Sequence, residues 1–451
     1  MGDYQKIFKA YDIRGIVPDE LDEQVAESVG AAFARLTGAR TVVTVHDMRT
    51  SSAPLAEAFG RGAAAQGADV IEGGLGSTDM LYYASGALGI PGAMVTASHN
   101  PAKYNGIKLC RDGARPVGAD TGLTELRDMA DRGGPAHDGP AGTITQRDLL
   151  AGYADHLKTL VDLSAIRPLT VAVDAGNGMA GHTVPKVFEG LPITLVPLYF
   201  ELDGTFPNHE ANPIDPQNLR DLQRAVLDSG ADIGLAFDGD ADRCFVVDER
   251  GRNVSPSVLT ALIAVRELAR EPAATVIYNL ITSQAVPEII TEHGGRAVRT
   301  RVGHSFIKAR MAETGAVFGG EHSGHFYFRD FWFADSGMLA ALHVLAALGE
   351  QDAPLSEVLA GYARYVCSGE INSEVADQAA VTAQVRAEFT SRPGVSADEL
   401  DGLTITGDGW WFNLRPSNTE PLLRLNAEAA DEDTMLRLRD EVLGMVRGQA
   451  G

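Results

Sequence analysis

An apolar stretch that runs into a turn is the clearest guide to the fold: Gly92-Ala93-Met94-Val95-Thr96-Ala97-Ser98-His99-Asn100-Pro101. Its first four residues have the character of a short buried strand. The Asn-Pro step at its end disfavours helix and sheet at Asn100 and fixes a loop. We therefore expect a strand whose tip presents the hydroxyl of Ser98 and the ring of His99, and open α/β sheets carry their chemistry at such strand ends.

Strands and helices alternate on both sides of this stretch. Thr41 to Val45 and Ala68 to Glu72 are predicted strands, and the alanine-rich segment between them, Ala53 to Gln66, is a predicted helix. Alternation of this kind is typical of a mostly parallel sheet with helices on both faces.

The alternation recurs twice further along the chain, and the last part is shorter and differently patterned. The second α/β segment is expected to begin after a helix around Gln146 to Val161. After Cys367 the pattern predicts four short strands and a closing helix. We predict three related mixed-sheet α/β domains at residues 1–147, 148–252 and 253–366, and a smaller C-terminal α+β domain at residues 367–451.

The composition excludes several classes of function. The chain has 451 residues and a formal net charge of −23, which argues against binding to nucleic acid or to an anionic membrane. An anionic substrate would need a local basic pocket in this acidic body. Cys110, Cys244 and Cys367 are far apart and odd in number, so we expect reduced thiols. The chain shows no signal-peptide pattern and no apolar run of membrane-spanning length, and we expect a cytoplasmic protein.

A glycine-rich turn follows the predicted strand Leu169 to Val173. It reads Gly176-Asn177-Gly178-Met179-Ala180-Gly181, with Glu201 further on, and matches the G-x-G-x-x-G pattern of dinucleotide-binding proteins. An NAD-dependent oxidoreductase is therefore one alternative. Short glycine-rich turns after strands are frequent in α/β proteins, and this alternative gives the other motifs no role.

Three aspartates lie on one loop between two predicted strands: Asp238-Gly239-Asp240-Ala241-Asp242-Arg243. Oxygen ligands at this density suit Mg²⁺ or Ca²⁺. An EF-hand is excluded because Arg243 stands where that motif needs glycine and because strands flank the loop. A haloacid-dehalogenase-type phosphotransferase, with Asp238 as phosphoryl acceptor, is another alternative, although Asp242 stands where that signature usually has Thr or Val.

Two polar loops occur later in the chain. Gly319 to His325 reads GGEHSGH, which supplies the carboxylate, hydroxyl and imidazole that neighbouring sugar hydroxyls require. A zinc site formed by Glu321, His322 and His325 is the alternative for this loop. Arg415 to Pro421 reads RPSNTEP and combines a guanidinium with hydroxyls and an amide, as a phosphate cradle does.

With these stretches in this order, the chain resembles the α-D-phosphohexomutase superfamily, and most closely its bacterial phosphomannomutase/phosphoglucomutase branch. The resemblance extends from Tyr11 to Arg424. It implies a four-domain enzyme with a central cleft that exchanges a phosphoryl group between C1 and C6 of mannose or glucose phosphate. It also implies a phosphoserine enzyme and a hexose 1,6-bisphosphate intermediate.

The resemblance assigns roles to individual residues. Ser98 is implied to carry the phosphoryl group and to bind Mg²⁺ together with Asp238, Asp240 and Asp242. Lys108 and His325 match positions of proton transfer, and we add Arg14 and His99 to the catalytic group. The implied substrate-binding residues are Tyr11, Arg243, His304, Glu321, Ser323, Arg415, Ser417, Asn418, Thr419 and Arg424. Hexose 1,6-bisphosphate is the expected activator, and we expect a monomer or weak homodimer without nucleic-acid or membrane partners.

Two features bear on substrate preference. Some relatives carry a lysine where this chain reads Asn279-Leu280-Ile281-Thr282-Ser283, so a basic contact near Ile281 is missing or supplied by another residue. Thr96 and the Glu-His-Ser-Gly-His loop favour the mannose/glucose branch. Phosphoglucosamine mutases more often carry Ser and Gln at the corresponding positions, and that activity is the alternative.

Overall fold

The computed structural model describes residues 4–133, 137–417 and 422–448. Within these ranges the strands are arranged in four sheets. The chain packs into two compact units. The first unit contains the described part of residues 1–259 and 323–358, and the second contains the described part of residues 260–322 and 359–451.

The first sheet lies between residues 13 and 146. Its strands are β1 (Ile13–Ile16), β2 (Thr41–His46), β3 (Asp69–Leu75), β4 (Gly92–Val95), β5 (Tyr104–Arg111), β6 (Arg115–Pro116) and β7 (Ile144–Gln146). The helices of this segment are α1 (Tyr4–Ile7), α2 (Glu23–Thr37), α3 (Ser52–Ala65), α4 (Thr78–Leu88) and α5 (Leu123–Asp131). The strand order is β1-β5-β4-β2-β3-β7, with β6 paired to β5. Strands β4, β2, β3 and β7 are parallel and the remaining pairs are antiparallel, so the predicted mixed sheet is present.

The second sheet places the aspartate loop between two neighbouring strands. Its strands are β8 (Leu169–Asp174), β9 (Ile193–Leu198), β10 (Ile233–Phe237), β11 (Cys244–Asp248) and β12 (Asn253–Val254), and its helices are α6 (Leu150–Leu160), α7 (Ala180–Val187) and α8 (Arg220–Ser229). The order is β12-β11-β10-β8-β9. All residues of β10 and β11 are buried, and the loop that joins this antiparallel pair carries the three aspartates.

One prediction in this region is wrong at its boundary. The expected helix around Gln146 to Val161 begins only at Leu150. Gln146 instead ends β7, which pairs with β3 through Val70 and Ile144. Backbone pairing at the sheet edge therefore outweighs the local helical pattern.

The third α/β segment has its parallel strands in the second unit. These are β13 (Thr275–Asn279), β14 (Arg296–Thr300) and β15 (Phe318–Gly320), accompanied by α9 (Pro256–Arg270), α10 (Ala285–Glu292) and α11 (His304–Thr314). The following elements belong to the first unit: β16 (Phe326–Phe328), β17 (Ala334–Asp335), α12 (Gly337–Gly349) and α13 (Leu355–Val358). Every residue of α12 is buried, which suits a helix that is apolar on all sides. Among the described residues, no helix combines the length and the apolar character needed to cross a membrane.

The last segment is an antiparallel sheet with two helices. Its elements are β18 (Val366–Glu374), α14 (Gln378–Thr390), β19 (Ser396–Asp398), β20 (Leu403–Gly407), β21 (Trp410–Pro416), β22 (Leu422–Ala429) and α15 (Glu432–Arg447). The order is β18-β22-β21-β20-β19. Strand β19 and helix α14 were not predicted from the sequence, although Val381, Val385 and Phe389 form a buried stripe at helical spacing on α14. The predicted fold class is confirmed, whereas the predicted domain boundaries stay predictions.

Candidate active site

The Ser98 turn follows β4 in the first unit. Ser98 has a left-handed backbone conformation, with φ of 50°, which is uncommon for a residue other than glycine. Its backbone N–H donates to the hydroxyl of Thr96 at 2.9 Å, and the N–H of Asn100 donates to the carbonyl of Ala97. The Ser98 hydroxyl donates to Oδ2 of Asp238 at 2.8 Å and lies 3.2 Å from Nδ1 of His99. The buried hydroxyl therefore points directly at the aspartate loop.

The three aspartates converge with Lys108. One carboxylate oxygen from each of Asp238, Asp240 and Asp242 lies within 4.8 Å of the others, and all three residues are buried. The ammonium of Lys108, on β5, donates to Asp240 at 2.6 Å and to Asp242 at 2.7 Å. One loop and a strand from different parts of the sequence thus form one charged cluster.

Gly239 brings the aspartate loop onto the Ser98 turn. A Cβ at this position would lie 2.5 Å from the carbonyl oxygen of Ser98. Contacts this short to backbone do not occur in real structures, so a larger residue would force the two loops apart. The glycine between the first two aspartates is therefore required by a close approach of backbone.

We expect Gly239→Ala to lower kcat by roughly 10- to 100-fold, because displacement of a reacting group by about 1 Å costs up to roughly 100-fold in rate. The measurement is steady-state kinetics combined with a thermal melt. Gly361→Ala is the matched control, since no described atom lies within 4 Å of the added Cβ there. An unchanged kcat in a folded Gly239→Ala protein would show that the close approach is not needed.

Burial and neighbouring charges change the protonation of the cluster. Burial raises the pKa of Asp238, and the carboxylates of Asp242 and Asp240 raise it further. Burial also opposes ionisation of Asp240, but the Lys108 ammonium lowers the pKa of Asp240 below its ordinary value. Burial alone would lower the pKa of Lys108, yet the two carboxylates that it contacts raise it well above its ordinary value. Lys108 therefore remains an ammonium. Its single positive charge cannot neutralise the three aspartates of the loop.

The cluster fits a divalent cation. Oδ1 of Asp240 and Oδ1 of Asp242 are buried, and within the described chain they have no hydrogen-bond partner. Unpaired buried carboxylate oxygens are costly, and oxygen ligands of this kind are those that Mg²⁺ prefers. A bound cation would also favour the ionised form of Asp238.

Basic side chains border the cluster. The backbone N–H of Arg243 donates to Oδ1 of Asp238 at 3.2 Å, and its Nε lies 3.4 Å from Oδ2 of the same residue. The Arg243 guanidinium lowers the pKa of His99 well below its ordinary value, and burial lowers it further, so this ring is neutral near pH 7. Arg14, on β1, donates to the side chains of Asn100 and Asp12.

His325 lies beside Arg243, and the backbones of the two residues form an isolated antiparallel β-bridge. Its Nδ1 is 3.0 Å from Oδ2 of Asp335 and 3.8 Å from Oδ1 of Asp242. Burial lowers the pKa of His325, but the two carboxylates outweigh burial and raise it above its ordinary value. Tyr11 lies in the turn before β1, partly buried.

In the second unit, Glu321 follows β15 and is buried. Its Oε1 accepts hydrogen bonds from the backbone N–H of Gly303 at 3.2 Å and from the side chain of Asn279 at 3.3 Å. Asn279 itself accepts a hydrogen bond from the hydroxyl of Thr282. Gly303 directly precedes α11, so this carboxylate is oriented by groups from two other segments. The side chain of His304 lies outside the described residues, and Ser323 is partly buried on the loop that follows.

Two arginines face each other on the last sheet. Arg415 on β21 is the direct cross-strand partner of Arg424 on β22. Glu370 lies 3.9 Å from Arg415 and 3.8 Å from Arg424, and Nη2 of Arg424 is 3.5 Å from the hydroxyl of Ser417. Asp401 also lies 3.8 Å from Arg415. Nε of each arginine is buried, and among the described residues neither Nε has a hydrogen-bond partner. These unused donors suit an anion. Asn418 and Thr419 lie outside the described residues.

Four family models cover most of the chain. They are described as phosphoglucomutase/phosphomannomutase alpha/beta/alpha domains I, II and III and the C-terminal domain, and they match residues 5–133, 151–251, 256–365 and 370–445. The chain belongs to the phosphoglucomutase/phosphomannomutase family.

Two relatives by sequence and one solved structure match this chain over nearly its full length. Phosphohexose mutases of Xanthomonas campestris pv. campestris are 41% identical over 444 residues, which is 98% of this chain and 99% of the relative. A phosphomannomutase of Salmonella montevideo is 39% identical over 441 residues, 96% of each chain. The crystal structure of a phosphoglucomutase/phosphomannomutase family protein from Burkholderia thailandensis has a TM-score of 0.89 at 32% identity, covering 99% of this chain and 98% of that chain. The predicted resemblance is confirmed, and so is the prediction that the chain is a phosphohexomutase-class enzyme.

The glycine-rich turn of this phosphoglucomutase/phosphomannomutase family member packs against its own chain. A Cβ on Gly178 would lie 2.7 Å from the carbonyl oxygen of Gly239, and one on Gly181 would lie 2.3 Å from that of Phe200. The space that a dinucleotide phosphate would approach is thus filled by backbone. This packing and the family membership leave the oxidoreductase and haloacid-dehalogenase alternatives without support.

The alternative zinc site also lacks support. Among the described residues, two groups bring three possible ligand atoms within 4.8 Å of one another: the three aspartates, and Asp242 with His325 and Asp335. Glu321 and His322 belong to neither group.

Sequence reasoning missed several residues that position this cluster. The hydroxyl of Thr78 donates to Oδ2 of Asp240 at 2.6 Å, and its backbone N–H donates to the carbonyl of Asp240. Thr78 is the first residue of α4, and Ser77-Thr78-Asp79 is a helix-start signal that could have drawn attention to it. Asp335, at the end of β17, carries no such signal.

Proposed function

We propose that this enzyme interconverts the 1-phosphate and 6-phosphate of mannose or glucose through a phosphorylated Ser98 and a hexose 1,6-bisphosphate. The observation that carries the proposal is the hydrogen bond from Ser98 Oγ to Asp238, beside two further carboxylates and Lys108. This arrangement provides a nucleophilic oxygen at a site suited to a divalent cation. The names of the relatives point to the same substrate class.

The reaction is two phosphoryl transfers in opposite directions. Phosphorylated Ser98 gives its phosphoryl group to the free hydroxyl of a hexose monophosphate, whose proton passes to a base such as His325. The bisphosphate then turns over, its other phosphoryl group returns to Ser98 Oγ, and the leaving sugar oxygen regains a proton. Hexose 1,6-bisphosphate would serve as activator because it phosphorylates an unmodified Ser98.

Charge is the main obstacle to this chemistry. Two phosphate dianions about 5 Å apart repel by about 13 kcal/mol at an effective dielectric constant of about 20, so Lys108 alone cannot suffice. Asp238, Asp240, Asp242 and the seryl phosphate on Ser98 would hold Mg²⁺, which supplies charge neutralisation and polarises the phosphoryl oxygen. Arg14 and Arg243 would add positive charge at the same phosphoryl group, and neutral His99 lies beside Ser98 Oγ without adding charge of its own.

Residues of the third α/β segment and of the last sheet would recognise the sugar and its other phosphate. We assign the sugar hydroxyls to Glu321 and to Ser323 of the following loop. Arg415, Ser417 and Arg424 would bind the phosphate remote from Ser98, together with Asn418 and Thr419. We further assign Tyr11 and His304 to substrate contacts. Asn279 does not supply the basic contact that some relatives have near Ile281, because its neutral amide donates to Glu321.

The proposal is tested by mass measurement and by isomer conversion. Purified protein treated with glucose 1,6-bisphosphate should gain about 80 Da on the Ser98 peptide. With Mg²⁺ it should convert glucose 1-phosphate and mannose 1-phosphate to the 6-phosphates, followed by ³¹P resonance. Glucosamine 1-phosphate is the third arm, and faster turnover of that substrate would favour the phosphoglucosamine alternative. Conversion without any phosphate on Ser98 would contradict the phosphoserine route.

A further inference from the structure

Arg49 lies under the Ser98 turn and is enclosed by protein. It follows β2 in the first unit, and its side chain is 1% exposed. Nη2 donates to the carbonyl oxygens of Ser98 and Asn100 at 2.8 and 2.7 Å, and Nη1 donates to those of Pro101 and Tyr104 at 3.0 and 3.1 Å. One guanidinium therefore holds four carbonyls of the segment that carries the nucleophile.

Asp47 balances this charge and extends the network. Its Oδ2 accepts from Nε of Arg49 at 3.2 Å and from the hydroxyl of Thr96 at 2.7 Å. Its Oδ1 accepts from the backbone N–H of Arg49 and from the hydroxyl of Ser52. Burial raises the pKa of Asp47 and lowers that of Arg49, while each charge opposes the effect on the other. Loss of either charge would leave the other buried without its partner.

Hydrogen bonds link both backbone polar groups of Ser98 to the pair of Arg49 and Asp47. Its carbonyl oxygen accepts directly from Arg49, and its N–H donates to the Thr96 hydroxyl, which in turn donates to Asp47. The left-handed conformation of Ser98 is thus fixed from both sides. The four carbonyl oxygens are also turned toward the positive charge of Arg49.

A loop between β9 and α8 closes the other side of Arg49. The ring of Phe206 lies over the guanidinium, 5.0 Å from its carbon to the ring centroid. A Cβ on Gly204 would lie 2.5 Å from Cα of Arg49, so this loop touches the backbone. The guanidinium is therefore held in a shielded site in which its hydrogen bonds are strong.

We propose that Arg49, paired with Asp47, is a positioning residue that sets the direction of Ser98 Oγ for phosphoryl transfer, an inference that rests on the proposed function of Ser98. Arg49 does not contact the reacting atoms. Its loss should therefore slow transfer while leaving the affinity for the hexose phosphate nearly unchanged. Arg49→Lys should restore little of the transfer rate that is lost with the guanidinium. An ammonium has three donors and cannot reach four carbonyls and a carboxylate.

The test compares Arg49→Lys, Arg49→Met and Thr96→Val with the wild-type protein. Ser98 is first phosphorylated with ³²P-labelled glucose 1,6-bisphosphate, and transfer of the label to glucose 1-phosphate is followed in a single turnover. We expect transfer to slow by roughly 100-fold in both Arg49 variants and by roughly 10-fold in Thr96→Val, with KM changed by less than about threefold. Arg61→Met is the matched control, because Arg61 is a half-exposed arginine on α3 whose ion pairs are on the surface; its transfer rate should equal that of the wild type.

The outcomes separate the two proposals. Wild-type transfer rates in a folded Arg49 variant, or a KM effect as large as the kcat effect, overturn the positioning role and leave the proposed function intact. A wild-type protein that takes no label on Ser98 overturns both. If the Arg49 variants do not fold, Thr96→Val decides, since it removes one hydroxyl and leaves both charges paired; an unchanged transfer rate there overturns the proposal.

Discussion

Ser98→Ala should lose mutase activity by roughly 10⁵-fold or more, the scale seen when a catalytic nucleophile is removed. The seryl oxygen is the group that would accept and return the phosphoryl group, and it donates a hydrogen bond to Asp238. The backbone N–H of Arg243, which also donates to Asp238, cannot take its place as a nucleophile. The variant should remain folded, because it loses only one hydroxyl and because Arg243 still lies beside the Asp238 carboxyl group. The measurements are turnover of glucose 1-phosphate, a thermal melt, and intact mass after treatment with bisphosphate.

The control for this prediction is Ser164→Ala. Ser164 is an exposed serine whose hydroxyl also donates to a carboxylate, that of Asp162, at 2.7 Å. Activity and phosphate incorporation should both match the wild type. Substantial turnover by Ser98→Ala, or incorporation of about 80 Da into that variant, would place the phosphoryl group on another residue.

Asp240→Asn should weaken Mg²⁺ binding by roughly 100-fold, since affinity at oxygen sites depends on the number of charged ligands. The substitution removes one of three carboxylates and the partner of both Thr78 and Lys108. Lys108 would then pair with Asp242 alone, which reduces that carboxylate's availability to the metal. Binding is measured by calorimetric titration with MgCl₂ and by the rise in melting temperature that Mg²⁺ causes in the wild type.

Asp228→Asn is the control for the loss of charge. Asp228 is an exposed aspartate on α8, and its substitution changes the net charge equally without touching the cluster. Its Mg²⁺ affinity should equal that of the wild type. An Asp240→Asn protein with unchanged affinity and unchanged Mg²⁺-dependent melting would show that the metal binds elsewhere.

Much of the fold could be predicted because each element carries its own signal. The strand at Thr41–His46 is a β-branched run and the helix at Ser52–Ala65 is rich in alanine, so local preference and final structure agree. The failure at Gln146 has a different origin, since its pairing partner on β3 lies more than 70 residues away. Edge strands of this kind depend on a neighbour that local patterns do not show.

The residues of the site divide in the same way, into those with a local sequence signal and those that depend on a distant partner. Asp238, Asp240 and Asp242 share one short loop, so their proximity follows from chain connectivity and could be predicted. Thr78 carries only a helix-start signal and Arg49 carries none, and neither indicates a contact with a group that is distant in sequence.

The sequence by itself determined the succession of strands and helices, the turn that presents Ser98 and the density of carboxylates on one loop. These properties depend on residues within a few positions of each other. Only the tertiary structure decided that Ser98 meets Asp238 across 140 residues, that Lys108 bridges two aspartates, and that Arg49 lies beneath the turn. Those contacts depend on the register and packing of two separate sheets, which bring together side chains that no local pattern relates.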